Sequence, residues 1–496
     1  MKRTAIVVVF GLLAAGTVCA EDNTTNIISG TTSNNGGANF TVGNNGTNNS
    51  LIISGGGILT NVNYGAIGDG PSGSNNWAMV ADSGSAWYNG SGFSVGSCDG
   101  NRLTIGNGGA VYNGGSGNTL TVSNGGNMYS VLGIVRYNSP ILVTGFYSVW
   151  NNRSNLYVGY SSSCATLTIA NSGTVFSALG IIGRSGSSNA VTVTDPGSAW
   201  NNSGSVYVGF SGGSGNTLTI TNGGVVSNVT GYIGYFTSAN SNSVVVTGFG
   251  SIWTNSGDLF VGNSGTDNTL TITDSGAVFA SNLVAGDNTH TATLNLLSGS
   301  LCVANLLTLQ NNATLSGNGS VSGTVLVNGT AQADTAGGLT VTGSITNNAV
   351  LRAINGAVLE SWGPVVNNGV IDVIYGNTNF HSTFINNGIV LTADGDPDGD
   401  GMSNLQESLA GTIVTNSSSC LRITSVAREG DDVRITWTAV GGKSYVVQTN
   451  SVPGSGFADF SPVIYVPGDG ESVTNYVHTG GATNSSSLFY RIRLGP

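Results

Sequence analysis

The densest set of hard oxygen donors in the chain lies at Asp396-Pro397-Asp398-Gly399-Asp400-Gly401-Met402-Ser403-Asn404-Leu405-Gln406-Glu407. Carboxylates at alternate positions, a glycine at the sixth place and a glutamate at the twelfth are the spacing of a calcium-binding loop. Calcium takes about six to eight oxygens. Asp396, Asp398, Asp400, the Met402 carbonyl, Asn404 (directly or through water) and a bidentate Glu407 could supply them. Gly401 makes the sharp turn. Starting the frame at Asp394 would put Leu405 where the bidentate acid belongs, so that frame fails. Leu405 and Leu409 are spaced as on a short exiting helix, which Gly411 can end. The expected affinity is on the order of 10⁻⁴ to 10⁻³ M, as in extracellular modules.

Elsewhere the chemistry is sparse. Glycoside hydrolysis needs two carboxylates about 5 to 9.5 Å apart, one of them kept protonated. Over residues 40–390 the acids are Asp69, Asp82, Asp99, Asp195, Asp258, Asp267, Asp274, Asp287, Asp334, Glu360 and Asp372, and none form an i,i+2 pair. Several hold turn positions that sister segments fill with Asn, as Asp274 does for Asn222. A lyase needs a base, yet this stretch has no lysine, and His290 and His381 are expected to stand alone without nearby partners. The expectation is a protein that is not an enzyme.

The elements that must carry these residues follow from repetition. Tyr207-Val208-Gly209 leads to Asn216-Thr217-Leu218-Thr219-Ile220, and Phe260-Val261-Gly262 to Asn268-Thr269-Leu270-Thr271-Ile272; Tyr157-Val158-Gly159 opens a third copy. Gly159, Gly183, Gly209, Gly234, Gly262 and Gly286 are 24, 26, 25, 28 and 24 residues apart. Apolar residues alternate within each unit, as on a strand with one buried face. Such a unit cannot bury that face alone, so units must stack around a shared core. This predicts an all-β chain with a parallel β-solenoid over residues 21–393. The repeat is about 25 residues to 304 and about 20 residues over 305–393, where Asn347-Asn348, Asn367-Asn368 and Asn386-Asn387 return in register and could form a ladder. Related halves carrying Gly-Ser-x-Trp would also permit propeller blades of about 50 residues.

Residues 394–412 form the loop and short helix, and 420–496 read as a small β-sandwich. Val433, Ile435 and Trp437 alternate, as do Tyr490, Ile492 and Leu494, with Trp437 expected in the core and Arg491 and Arg493 in solvent. An ion in the loop would stiffen the joint between solenoid and sandwich.

Lys2 and Arg3, the apolar run Ala5 to Ala15 and the small residues before Glu21 predict a signal peptide, residues 1–20, with export to the cell surface or exterior. The apolar run is too short to span a bilayer, so no transmembrane segment is expected in the mature chain. With 7% charged residues, 78 glycines and a net charge of -11, the chain is unsuited to nucleic acid, which needs clustered Lys and Arg. Cys98, Cys164, Cys302 and Cys420 are far apart and imply no zinc motif; their disulfide pattern is open.

The Tyr-Val-Gly, Asn-Thr-Leu-Thr-Ile, Asn-Gly-Gly pattern of Tyr207 to Gly224 resembles the autotransporter-associated repeat of exported bacterial proteins. Asn367-Asn368-Gly369-Val370-Ile371-Asp372-Val373 is similar to autotransporter passenger coils. The resemblance covers roughly residues 40–390. It implies a right-handed β-helix displayed outside the cell in adhesive or matrix roles, with glycans or cell-surface and matrix polymers as partners. No series of lipid-facing barrel strands follows the repeats. The loop resembles thrombospondin type 3 and EF-hand-like calcium loops, but Ile389-Val390-Leu391 reads as a strand where an EF-hand has its entering helix. The C-terminal module resembles fibronectin type III at the level of fold. The alternative is a carbohydrate-active β-helix that binds or cleaves glycans through Tyr157, Tyr207, Phe260 and the tryptophans. The direction of Trp150, Trp200 and Trp253 separates the two readings.

Overall fold

The computed structural model describes residues 5–8, 23–34, 39–61, 64–68, 72–89, 92–95, 102–106, 110–113, 120–123, 125–130, 133–135, 140–335, 337–454, 456–483 and 487–496. Cys98, most of the signal peptide and its cleavage point after Ala20 lie outside them. Ala5–Val8 is a strand that pairs in parallel with Thr24–Ile27. The chain divides into two compact units, one of residues 1–370 and 378–388, the other of residues 371–377 and 389–496.

The first unit is a parallel β-solenoid. Each coil contributes three short strands, such as Thr166–Ala170, Thr174–Ser177 and Gly180–Ile182. The next coil repeats them at Ala190–Thr194, Ala199–Asn202 and Val206–Val208. Strand pairs with equivalent strand one coil on, in parallel: Leu167 with Val191, Val175 with Trp200, Ile182 with Val208. Propeller blades, with their separate four-stranded sheets, are excluded. Alternation does what the sequence implies, with Leu218 and Ile220 inside and Thr217, Thr219 and Thr221 outside. Trp87, Trp150, Trp200 and Trp253 all point inward and are at most 1% exposed, so they are core and not a sugar platform.

From residue 141 to 285 coils with and without tryptophan alternate, whereas two coils without it, at Val111 and Met128, lie between those of Trp87 and Trp150. Tryptophan coils turn through four residues ending in a buried serine: Ser85, Ser148, Ser198 or Ser251. Its Oγ accepts the backbone N–H of the preceding coil's corner, from Gly56, Gly125, Ser172 and Gly223, at 3.0, 3.1, 3.0 and 3.0 Å. The related halves seen in the sequence are therefore successive coils, one of which caps the other.

A buried asparagine ladder runs up another corner. Asn189 donates its backbone N–H and Nδ2 to Asn216 Oδ1 (3.0 and 2.9 Å), Asn216 does the same to Asn242 (2.9 and 3.0 Å), and Asn242 to Asn268 (2.9 and 3.1 Å). The marker glycines make room for it. A Cβ on Gly183, Gly209 or Gly234 would lie 2.1 to 2.2 Å from the amide of Asn216, Asn242 or Asn268, and each glycine has a positive φ of 70–80°. This pairs the glycine that ends one coil with the asparagine that opens the coil after next, a link hidden in the Tyr-Val-Gly and Asn-Thr-Leu-Thr-Ile motifs.

The shorter coils hold the ladder the sequence predicts. Asn347 Nδ2 donates to Asn367 Oδ1 and Asn367 Nδ2 to Asn386 Oδ1, both at 2.7 Å. An outer ladder joins Asn348 to Asn328 (2.9 Å), Asn368 to Asn348 (3.0 Å) and Asn387 to Asn368 (3.0 Å). Thr269 pairs with Thr293, but Thr293 with Thr314, so the shortening begins with the coil that opens at Ala292 and contains residue 305.

In the second unit, Ile423–Glu429, Asp432–Val440 and Glu471–His478 form an antiparallel sheet. Ser444–Asn450 pairs with Phe489–Leu494 and with two short strands in another. Ile435, Trp437, Ala439, Tyr445, Val447 and Val466 are the core, with Ile492 and Leu494 packed on it. Arg491 and Arg493 are engaged and not merely solvated: Arg491 bonds Gln448 Oε1 at 2.9 Å, and Arg493 Nε bonds Asp459 Oδ1 at 2.9 Å.

Candidate metal site

The site is built between the strand Ile389–Thr392 and the helix Asn404–Ala410. A strand, not a helix, leads in, as the sequence indicates. The helix starts cleanly because Ser403 and Gln406 form a capping box: Ser403 Oγ accepts the Gln406 N–H (3.3 Å), and Gln406 Oε1 accepts the Ser403 N–H (2.9 Å). Gly411 ends it with φ 82°, its N–H bonded to the Glu407 carbonyl. The inward face of the helix is Asn404, Glu407 and Ala410, while Leu409 is exposed.

Between them the aspartates organise the loop backbone. Asp396 accepts the N–H groups of Gly399 (2.8 Å) and Gly401 (3.0 Å), and Asp400 Oδ1 accepts that of Met402 (2.8 Å). Gly399 and Gly401 have φ of 74° and 92°, backbone that L side chains rarely adopt. Asp396, Asp398 and Asp400 each bring one carboxylate oxygen to within 4.8 Å of the others. Three like charges so close repel unless something positive lies among them.

Glu407 and Asn404 stand at the helix behind them, both 0% exposed. Asn404 is a clamp as well as a donor candidate: its Nδ2 bonds the Thr392 carbonyl at 2.7 Å. Four buried oxygens, Asp398 Oδ2, Asp400 Oδ2, Asn404 Oδ1 and Glu407 Oε2, have no hydrogen-bond partner. A buried polar atom left so costs about 1–3 kcal/mol, and more when charged. Burial first, then the charges of Asp398 and Asp400, push the Glu407 carboxyl up to about 7, with Thr412 acting the other way. The donor set thus fits a hard divalent cation, which could take up these four oxygens and offset two of the cluster's negative charges. Of the six residues expected to ligate, three are gathered at the loop and two present orphaned oxygens. Met402 is placed by its N–H to Asp400 and by its sulfur, which accepts the Leu421 N–H at 3.2 Å.

Sequence reasoning missed two neighbours. Thr412 Oγ1 reaches Glu407 Oε1 at 3.4 Å. Cys420 is buried, and burial raises its thiol pKa; Arg422 opposes this and Asp400 adds to it. Neither lies within the twelve-residue pattern, so no spacing rule could find them.

Outside this site, the histidines are not isolated. His290 Nδ1 meets Asp287 Oδ2 at 2.7 Å within one turn. Burial works to raise Asp287, but hydrogen bonds from His290 and Thr289 outweigh it and hold the carboxyl at about 2. His381 Nε2 meets Glu360 Oε1 at 2.8 Å, one coil away, and stacks on Trp362 at 3.9 Å. The hydrogen bond from His381, then that from Thr340, lowers the Glu360 pKa. Tyr207, Tyr232 and Phe260 stack on one another at 4.9 and 5.1 Å with planes within 7°. Their facing sides are occupied by each other, so they brace successive coils. Cys164 is exposed, Cys302 half-buried and Cys420 buried, all as free thiols.

Among the described residues no helix is long and apolar enough to cross a membrane. No protein-family model and no curated protein matches the chain. Among solved structures it is similar to the TibC-catalysed hyper-glycosylated fragment of TibA (residues 55–350), with 16% identity, a TM-score of 0.31 and coverage of 76% of this chain and 100% of that one.

Proposed function

We propose that the protein is an exported, non-catalytic structural or adhesin-like solenoid of the cell surface or extracellular matrix, with one calcium ion held by the loop at residues 396–407. The observation that carries the first part is the use to which the polar side chains are put. Ladder asparagines, corner serines and both histidine–carboxylate pairs bond within a turn or from coil to coil, which is what a load-bearing repeat requires. The inward direction of Trp87, Trp150, Trp200 and Trp253 supports this reading over one in which these rings stack on sugar. Expression with the native leader should place the chain outside the cytoplasm, cut after Ala20 and open to external protease. Retention of an uncut chain in the cytoplasm would sink export. Release of reducing ends from any polysaccharide, abolished by Glu360→Gln, would sink the non-catalytic reading.

The calcium part rests on the four orphaned oxygens. Calorimetric titration of the chelated protein should give one calcium per chain with a dissociation constant on the order of 10⁻⁴ to 10⁻³ M. The joint Asp398→Ala and Glu407→Ala variant should show none. No heat at millimolar calcium from the folded native chain refutes the assignment.

A further inference from the structure

Three consecutive coils leave a cleft of about 370 Å³ where the second strand runs into its corner. Asn151, Phe176 and Asn201 stack there in register on the outer face. Two residues further along each coil come Arg153, Ala178 and Ser203. Only the methyl group of Ala178 stands between the longer side chains of its neighbours, which is why the surface is hollow at this point. Phe176 is 39% exposed. Arg153 makes no ion pair among the described residues, whereas Arg434 and Arg493 each hold a carboxylate.

We infer that this cleft binds a single carboxylated sugar residue, a hexuronate unit of an extracellular glycan. A hexuronate has three features, and the cleft has a complement to each. Its carboxylate matches the planar fork of Arg153, which favours bidentate pairing. Its C–H face is apolar and suits Phe176. Its hydroxyls both donate and accept, as do the amides of Asn151 and Asn201 and the hydroxyl of Ser203. Asn201 Oδ1 already accepts Ser227 Oγ at 2.8 Å, leaving its NH₂ to donate outward. The volume is at the lower end of small-molecule sites, which run from about 300 Å³ upward, and so suits one ring. A similar cleft of about 280 Å³ recurs around Phe279 but is lined by no cation, and it supplies an internal control. This inference rests on the reading of an exported, adhesin-like solenoid, but its test uses purified protein and does not depend on where the chain resides or on calcium.

The full chain would be titrated with trigalacturonate and with neutral trigalactose, binding being followed by saturation-transfer NMR. Trigalacturonate should bind at least about tenfold more tightly, the margin of one charge-assisted bidentate contact. Arg153→Gln should abolish that preference while leaving the circular dichroism unchanged. Phe176→Ala should weaken both sugars, and Arg184→Gln, outside the cleft, should change neither. Equal binding of the two sugars, an unaltered preference in Arg153→Gln, or losses in Phe279→Ala that match those in Phe176→Ala would each overturn the assignment. Tighter binding of a sulfated trigalactose would overturn the carboxylate.

Discussion

The asparagine ladder at Asn189, Asn216, Asn242 and Asn268 and the loop at residues 396–407 both bury amide or carboxylate oxygens, and they treat them in opposite ways. In the ladder Asn216, Asn242 and Asn268 each accept two N–H groups at Oδ1 from the coil before, and Asn189 accepts that of Ala165, so repetition itself satisfies these buried oxygens. In the loop, four buried oxygens have no partner within the chain. A repeat can close its own hydrogen bonds because an identical neighbour arrives every coil. A segment that occurs once lacks such a neighbour; orphaned atoms also occur in the solenoid, as at Ser33 Oγ and Asp334 Oδ1, but scattered, whereas four gathered oxygens mark the loop as the place to look for an ion.

The contrast can be broken most forcefully from the solenoid side. Trp200→Ala removes a fully buried indole whose Nε1 bonds Ser177 Oγ, and should cost about 3–5 kcal/mol. Hydrogen exchange should show the loss concentrated in the adjoining coils, since each coil contacts only its neighbours. Uniform destabilisation along the whole solenoid would contradict that locality.

Next in size is the interlock. Gly209→Ala forces a Cβ to 2.2 Å from Asn242 on a residue with φ 80°, a cost of about 2–4 kcal/mol. Asn242→Ala leaves the Asn216 donors unpaired, at about 1–3 kcal/mol each. If glycine and asparagine form one device, the double variant in chemical denaturation should fall short of the sum of the two singles. Strict additivity would mean that they are separate features.

The loop should respond to pH in the sense its orphaned acid dictates. Unfolded, Glu407 ionises near 4.5; folded without an ion, it keeps its proton up to about 7. Between those values the folded state binds the extra proton, so the chelated second unit should lose stability as pH rises, by on the order of 2 kcal/mol. Glu407→Gln should flatten this slope, and saturating calcium should reverse it. A melting temperature that climbs from pH 5 to 7 under chelation would refute it. The smallest effect is expected at the outer ladder of the short coils. Asn368 is exposed, so Asn368→Ser should change stability by less than about 0.5 kcal/mol, against several times that for the buried Asn367→Ser.

Much of this was legible from period and parity. Glycine spacing gave the coil, and the paired asparagines after residue 347 gave their ladder. The buried ladder escaped because Asn216 and its equivalents sit just before the first strand of their coils and read as turn residues, though their return six to eight residues after each marker glycine was a usable signal. The inward direction of Trp200 was also within reach, since it shares parity with the buried Asn202 on its strand. The partner of His381 was invisible to a local reading because Glu360 lies one coil away. In the loop the ligand types were readable, but the burial of Asn404 and Glu407 was not, since it depends on which face the helix turns inward.

The alternation of corner types carries a last consequence, for how the chain can change length. A tryptophan coil caps the corner of the coil before it, and that coil carries no such corner of its own. Removing or duplicating one coil would set two capping coils, or two uncapped ones, side by side. Removing or duplicating a pair leaves each cap above its own corner. The solenoid over residues 141–285 therefore has a quantum of length, two coils, and gene rearrangements that shorten or extend it in frame without loss of fold should come in that unit.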